Sequence, residues 1–219
     1  MPINLFGQDV IKSISFDEGE ILRNIQELHC PNWFELDPCY SVGRFYSEFG
    51  IPKPKHRFDI SPQVSGVVEC SADKLPIEDG VIKSIMFDPP FLASSGESHE
   101  SNDPNVNIIA NRFSVFPSME KLWDWYSLCI QEFNRVLTDG GVLVFKNQDT
   151  VSSAKNYFSH VFIMNEALKY GFYPKDMFIL LVKNRIIGGN HSKQQHARKF
   201  HSYYWVFEKK KCKVDYNLL

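Results

Sequence analysis

Asp88-Pro89-Pro90-Phe91 closes the apolar run Val81-Ile82-Lys83-Ser84-Ile85-Met86-Phe87, which reads as a buried strand ending at that carboxylate. The chemistry open to such a turn follows from its donors and acceptors. Proline has no backbone N–H, so Pro89 and Pro90 leave carbonyl oxygens without competing donors, and an ionised Asp88 only accepts. A substrate amine suits this arrangement. The exocyclic amine of a nucleobase is a poor nucleophile because its lone pair is delocalised into the ring. Two acceptors gripping its hydrogens favour a pyramidal nitrogen with the lone pair turned outward. Phe91 adds a flat face for a base. Taken alone, the tetrapeptide is equally an ordinary strand-ending turn, because paired prolines are common in loops.

Three further carboxylates close short apolar or extended runs: Asp37 after Trp33-Phe34-Glu35-Leu36, Asp59 after His56-Arg57-Phe58, and Asp73 after Val67-Val68-Glu69-Cys70-Ser71-Ala72. In open α/β sheets ligands lie beyond the carboxyl ends of parallel strands, where such residues converge. For Asp59, which precedes Ile60-Ser61-Pro62, and for Asp73, a solvated turn carboxylate is the plainer alternative.

The tetrapeptide resembles the (D/N/S)PP(Y/F/W) catalytic signature of S-adenosylmethionine-dependent amino-methyltransferases that act on nucleic acids. The segment Trp33-Phe34-Glu35-Leu36-Asp37-Pro38-Cys39-Tyr40-Ser41-Val42-Gly43-Arg44-Phe45 is similar to that family's cofactor loop, with Ser41 where the first glycine is usual. The resemblance implies an α/β fold of the Rossmann-like class I methyltransferase kind, with a mostly parallel central sheet and a terminal antiparallel strand. It implies S-adenosyl-L-methionine as cofactor and no metal. It places Asp37 near the methionine moiety, Asp59 near the ribose hydroxyls and Asp73 near the adenine amine, with Pro38, Tyr40, Ser41 and Gly43 forming the loop. Asp88 and the Pro89 carbonyl hold the target amine beside Pro90, and Phe91 stacks on the base. Adenine N6 in DNA is the first target implied. An RNA base amine, cytosine N4, and a catalytically silent subunit that binds nucleic acid or a partner enzyme stay open. Gln195-His196-Ala197-Arg198-Lys199-Phe200-His201 resembles the family's basic connection to its final strand, which puts Arg198, Lys199 and His201 at the nucleic acid. Lys146-Asn147-Gln148-Asp149 resembles a polar motif found beside the active site in some members.

The elements that must position these residues are readable from periodicity. Leu122, Trp125, Tyr126, Cys129, Phe133 and Leu137 recur at helical spacing and predict a helix over Ser118–Leu137. Thr138-Asp139-Gly140-Gly141 then reads as a stop and turn before a strand, Val142–Phe145. A second helix is expected from about Ser152 to Tyr170, with Tyr157, Val161, Met164 and Leu168 inward and Gly171 as its C-cap. Met177–Val182 and Tyr203–Phe207 are the last strands. Ser15-Phe16-Asp17-Glu18 has the form of a capping box opening a helix to about Leu28. Such alternation predicts βα units around a parallel sheet, finished by an antiparallel pair. The polar stretch Leu92–Pro104 directly follows the Asp88 turn and is expected to close over a target base as a lid.

A length of 219 residues, with 43% hydrophobic and 14% aromatic side chains, suits one α/β domain with a helical lead-in over about 1–30 and a basic edge over about 183–213. No signal peptide or membrane-crossing run is expected. Five scattered cysteines without a C-x-x-C pair fit a reducing, cytoplasmic setting. His191, His196 and His201 recur every fifth residue, a spacing that aligns with neither a helix face nor a strand face, which argues against a metal site. The formal charge of −2 conceals an asymmetry: residues 183–213 carry nine Lys or Arg and one acid, a local +8 on an acidic body. Such an edge can neutralise phosphates. No stretch is left over for a separate target-recognition domain, so specificity is expected to be short, relaxed or borrowed from a partner subunit.

Overall fold

The computed structural model describes residues 10–93, 116–152, 154–183, 195–211 and 214–216. In chain order its elements are β1 (Ile14–Ser15), α1 (Glu18–His29), β2 (Leu36–Asp37), α2 (Arg44–Glu48), β3 (His56–Asp59), β4 (Val68–Glu69), β5 (Ile82–Phe87), α3 (Met119–Val136), β6 (Leu137–Asn147), β7 (Thr150–Ser152), β8 (Lys155–Tyr157), α4 (Ser159–Lys169), β9 (Phe172–Leu181) and β10 (His201–Lys209). Eight strands form one sheet in the order β1-β9-β10-β6-β5-β2-β3-β4. All its pairings are parallel except those of β10 with β6 and β9, so β10 alone runs against the rest. This is a Rossmann-like α/β sheet, mostly parallel with one late antiparallel strand. β7 and β8 form a separate antiparallel hairpin.

Period-two alternation sorts the central strands between two apolar layers. Ile85 and Phe87 of β5, with Leu143 and Phe145 of β6, pack under α3 and α4, where Phe87 and Phe133 meet edge to face at 4.7 Å. Met86, Val142 and Val144 turn the other way and join Ile21, Leu22 and Ile25 of α1, with Tyr204 and Val206 of β10. One residue beyond each run, the same alternation sends Asp88 and Lys146 to the α1 face.

α3 matches its predicted stripe: Ser118 caps it by accepting from the Lys121 N–H, and Leu122, Tyr126, Cys129 and Phe133 are buried. Other expectations are corrected. The N-cap of α1 is Asp17, which accepts from the Glu20 N–H, while Ser15 accepts from the Asp17 N–H; Glu18 caps nothing and points into the site described below. Thr138-Asp139-Gly140-Gly141 is looped out within β6, since Ile82 pairs Leu137 and Ser84 next pairs Val142. The expected helix from Ser152 begins at Ser159, because the β7–β8 hairpin occupies its first residues. Its buried face is Ser159, Ile163 and Ala167 at i, i+4 and i+8, whereas Val161 is exposed. Its C-cap is Tyr170, one residue before the expected Gly171, which follows at φ 81 as the left-handed residue beyond the helix end. No helix among the described residues is long and apolar enough to cross a membrane.

Candidate active site

The turns leaving β2, β3 and β5 open at one edge of the sheet and enclose a cavity of about 520 Å³. Asp37, Asp59, Asp73 and Asp88 all line it, together with Pro38, Tyr40 and Ser41. Parallel strands deliver this convergence because their carboxyl ends lie on the same edge.

Asp37 is buried, and it accepts from the Cys39 N–H at 2.9 Å and the Tyr46 hydroxyl at 2.8 Å. Burial nevertheless raises its carboxyl group to about 7; the two hydrogen bonds oppose the rise, and the charges of Asp88 and Asp59 add to it. Ser41, standing where a glycine was expected, adopts the left-handed conformation at φ 51. That conformation costs an L-residue roughly 1–2 kcal/mol. The Ser41 N–H offsets part of the cost by donating to Asp59 Oδ2 at 2.8 Å, and Asp59 Oδ1 accepts from the Ser61 N–H at 2.8 Å. Asp59 is thus both a turn carboxylate and a cavity wall. Asp73 accepts from the Ser71 hydroxyl.

Gly43 does not line the cavity. It starts α2 at φ 67, and a Cβ there would lie 2.4 Å from the Tyr40 ring, which stacks on Tyr46 at 5.3 Å. The expected close backbone approach to a ligand is therefore replaced by close approach to an aromatic wall. In the Asp88 turn, Asp88 and Pro90 face the cavity and Pro89 is buried behind them. The Tyr126 hydroxyl pins the turn by donating to the Pro90 carbonyl at 2.5 Å. Phe91 is half-buried and outside the lining. The aromatic residues that line the cavity are Tyr40, Phe45, Phe49, Phe116 and Trp125, the last two with rings 5.2 Å apart.

Two charged residues missed as site residues complete the floor. Lys146 of β6 sits 2.7 Å from Glu18 of α1 and 3.4 Å from Asp88, and the Tyr204 hydroxyl donates to Glu18. Burial raises the pKa of Asp88; Lys146 lowers it and Glu18 raises it further. For Lys146 burial pulls downward, but Asp88 and Glu18 together outweigh it and the ammonium is held above its ordinary value. Asp88 Oδ1 is buried and takes no hydrogen bond, while Oδ2 accepts from Lys146. The next residues of β6 form a polar cluster. The Asn147 amide is buried without a partner, the Gln148 amide donates to the His201 carbonyl at 2.9 Å, and Asp149 pairs with His160 at 2.8 Å.

The basic connection reaches the same sheet edge, because β10 begins where β6 ends, with Tyr203 opposite Asn147. Arg198 is exposed, Lys199 lies 5.5 Å over the Phe158 ring, and His201 bonds the Tyr203 hydroxyl at 2.9 Å. None of the three lines the cavity. Residues 94–104 of the expected lid, and His191, lie outside the described residues. Among those described, no group of three or more His, Cys, Asp or Glu is arranged to hold a metal ion.

No protein-family model matches the chain, and no curated protein sequence does. Among solved structures it is similar to TrmN from Thermus thermophilus, at 12% identity over 87% of this chain and 48% of that one, with a TM-score of 0.48. It is also similar to a candidate DNA modification methylase of Thermus thermophilus, at 15% identity over 65% of this chain and 51% of that one, with a TM-score of 0.40. A third likeness is an S-adenosylmethionine-dependent methyltransferase from Methanosarcina mazei, at 12% identity over 80% of this chain and 92% of that one, with a TM-score of 0.45. The chain spans about half the length of the first two.

Proposed function

We propose that this chain is an S-adenosylmethionine-dependent methyltransferase of nucleic acids whose target is an exocyclic base amine, adenine N6 of DNA first among them. The observation that carries the reading is Asp88: a carboxylate at the end of β5, ahead of two prolines without N–H groups, in the wall of a cavity that three other strand-end carboxylates share. The donor set of that cavity fits the cofactor. Asp59 and Asp73 offer acceptors for ribose hydroxyls and an adenine amine, Asp37 and the Tyr40–Ser41 turn would hold the methionine end, and the acidic wall suits a sulfonium cation. When bound, S-adenosylmethionine supplies an electrophilic methyl group that the amine nitrogen takes as the carbon–sulfur bond breaks.

The chain's own part is to position and to desolvate. Asp88 accepts from the amine at the cavity wall, and it receives the proton released once the nitrogen is methylated. Taking a base out of a duplex costs a few kcal/mol, and stacking worth about 1–3 kcal/mol per base offsets it. Trp125, Phe116 and Phe91 are the aromatic faces near the turn. Arg198, Lys199 and His201 contact the backbone from the neighbouring edge.

Tritiated-methyl transfer to DNA and to RNA, followed by mass-spectrometric nucleoside analysis, tests this reading. Asp88→Ala is expected to lose at least about 100-fold in transfer while its cofactor affinity by calorimetry stays close to the parental value. Transfer at the parental rate would remove Asp88 from the reaction, and label in RNA nucleosides alone would move the substrate to RNA.

A further inference from the structure

Of the charge pair beneath Asp88, Lys146 opens the polar segment Lys146–Asp149, and Glu18 belongs to none of the motifs that first suggested the site. Lys146 is 13% accessible and fixed from several sides: Glu18 at 2.7 Å, Asp88 at 3.4 Å, and the Phe45 and Tyr204 rings at 4.7 and 5.7 Å. Its ammonium is the closer partner of Glu18. Glu18 is itself held by the Tyr204 hydroxyl, so the pair rests on three elements, α1, β6 and β10. A cation that bound Asp88 alone at short range would occupy the acceptor that a substrate amine needs. A site without the cation would leave a carboxylate in a closed wall, where burial favours its neutral form.

We propose that Lys146 and Glu18 form a charge-setting pair for Asp88, in which Lys146 keeps the Asp88 carboxylate ionised and Glu18, by taking the nearer share of the ammonium, leaves that carboxylate free to grip the amine. Lys146 and Glu18 are positioning residues here; they act through Asp88. The proposal rests on the reading of Asp88 as the amine acceptor. The other titratable groups that act on Asp88 or feel its charge are Asp37 and Cys39 after β2, Tyr46 of α2, Tyr126 of α3 and Tyr204 of β10. None of these is a cation, so Lys146 alone among these groups favours the charged form.

The two partners act on Asp88 with opposite signs, and that makes them separable from a merely structural role. Removing the ammonium in Lys146→Met raises the pH at which Asp88 ionises. Neutralising the competitor in Glu18→Gln lowers it, because a repelling charge is lost and Lys146 is left to Asp88. Lys146→Arg keeps the charge and stays near the parental value. A carboxyl ¹³C titration of aspartate-labelled protein, with the Asp88 signal assigned by Asp88→Asn, reads these shifts without any substrate. In transfer assays the acid limb of the pH–rate profile moves the same way, with roughly tenfold lost at a pH below the limb for each pH unit it moves up. An Asp88 titration that is unmoved in Lys146→Met, or that moves in one direction in both Lys146→Met and Glu18→Gln, overturns the pair. Opposite shifts in a protein that methylates no nucleic acid would establish the pair and overturn the amine-transfer reading instead. Glu18→Gln and Lys146→Arg keep the test decisive if the methionine variant does not fold.

Discussion

Burial raises the Asp37 carboxyl group from an ordinary 3.8 to about 7, and that difference couples the site to the stability of the fold. Between those values the unfolded chain has released a proton that the folded protein still holds. Stability therefore falls as pH rises from about 4 to about 7 and levels off above, by on the order of 4 kcal/mol in all. Asp37→Asn removes the titration. It also leaves one of the two donors, the Cys39 N–H or the Tyr46 hydroxyl, without an acceptor, a loss that is nearly constant with pH. The expected outcome is that the variant gains stability relative to the parent between pH 4 and pH 8, whatever its constant offset, and loses cofactor affinity. Denaturant unfolding at the two pH values measures the first and calorimetry the second. An equal stability gap at both pH values would show that Asp37 is ionised throughout. A carboxylate kept in so unfavourable a place is consistent with selection for a ligand and not for the fold.

At the scale of elements, the β2–α2 turn shows how two special backbone positions build one wall. Ser41 and Gly43 both take positive φ, and the space above Gly43 belongs to Tyr40. Gly43→Val places a β-branched residue in a conformation that costs it about 1–3 kcal/mol and drives its Cβ into the ring. The variant is expected to melt lower and to lose cofactor affinity together, because Tyr40 cannot move without disturbing its stack on Tyr46, the donor to Asp37. Parental affinity by calorimetry would detach the turn from the site. This turn was legible in the amino-acid sequence, as were the four carboxylates, because strand-ending residues depend on local pattern. Glu18 was not: its spacing from Ser15 mimics a capping box, and only the approach of α1 to β6 and β10 brings it to Lys146. The β7–β8 hairpin stayed hidden for a different reason. Its turn contains Ala154 at φ 59, where glycine or asparagine would have signalled a hairpin. Phe91 has the motif's identity but not its expected place, since it lies outside the lining, whose aromatic residues come from the β2–α2 segment and from Phe116 and Trp125.

For the whole molecule, the antiparallel course of β10 links charge distribution to chemistry. The basic connection must enter β10 at the edge where β6 ends, which is the edge where β5 delivers Asp88. Arg198 and Lys199 of that basic stretch thus lie on the cavity side of the sheet, whereas Lys209 and Lys210, at the other end of β10, lie at the opposite edge. A nucleic acid of the proposed kind would be repelled by the acidic body and met at the edge carrying Arg198 and Lys199, and salt should weaken that encounter steeply. Arg198 is exposed and Lys199 lies over Phe158, so neither is needed to hold the core. Arg198→Ala and Lys199→Ala are expected to keep the parental melting temperature and the parental cofactor affinity. Each should weaken binding to a DNA duplex and lower the slope of log affinity against log salt by about one for every phosphate it no longer neutralises. The double variant should lower it by about two if the residues meet different phosphates, because counterion release is nearly additive over neutralised phosphates. Fluorescence anisotropy across a salt series measures both quantities. Unchanged slopes in all three variants would make the asymmetry a solubility feature and leave the nucleic acid to approach the Asp88 cavity from another edge.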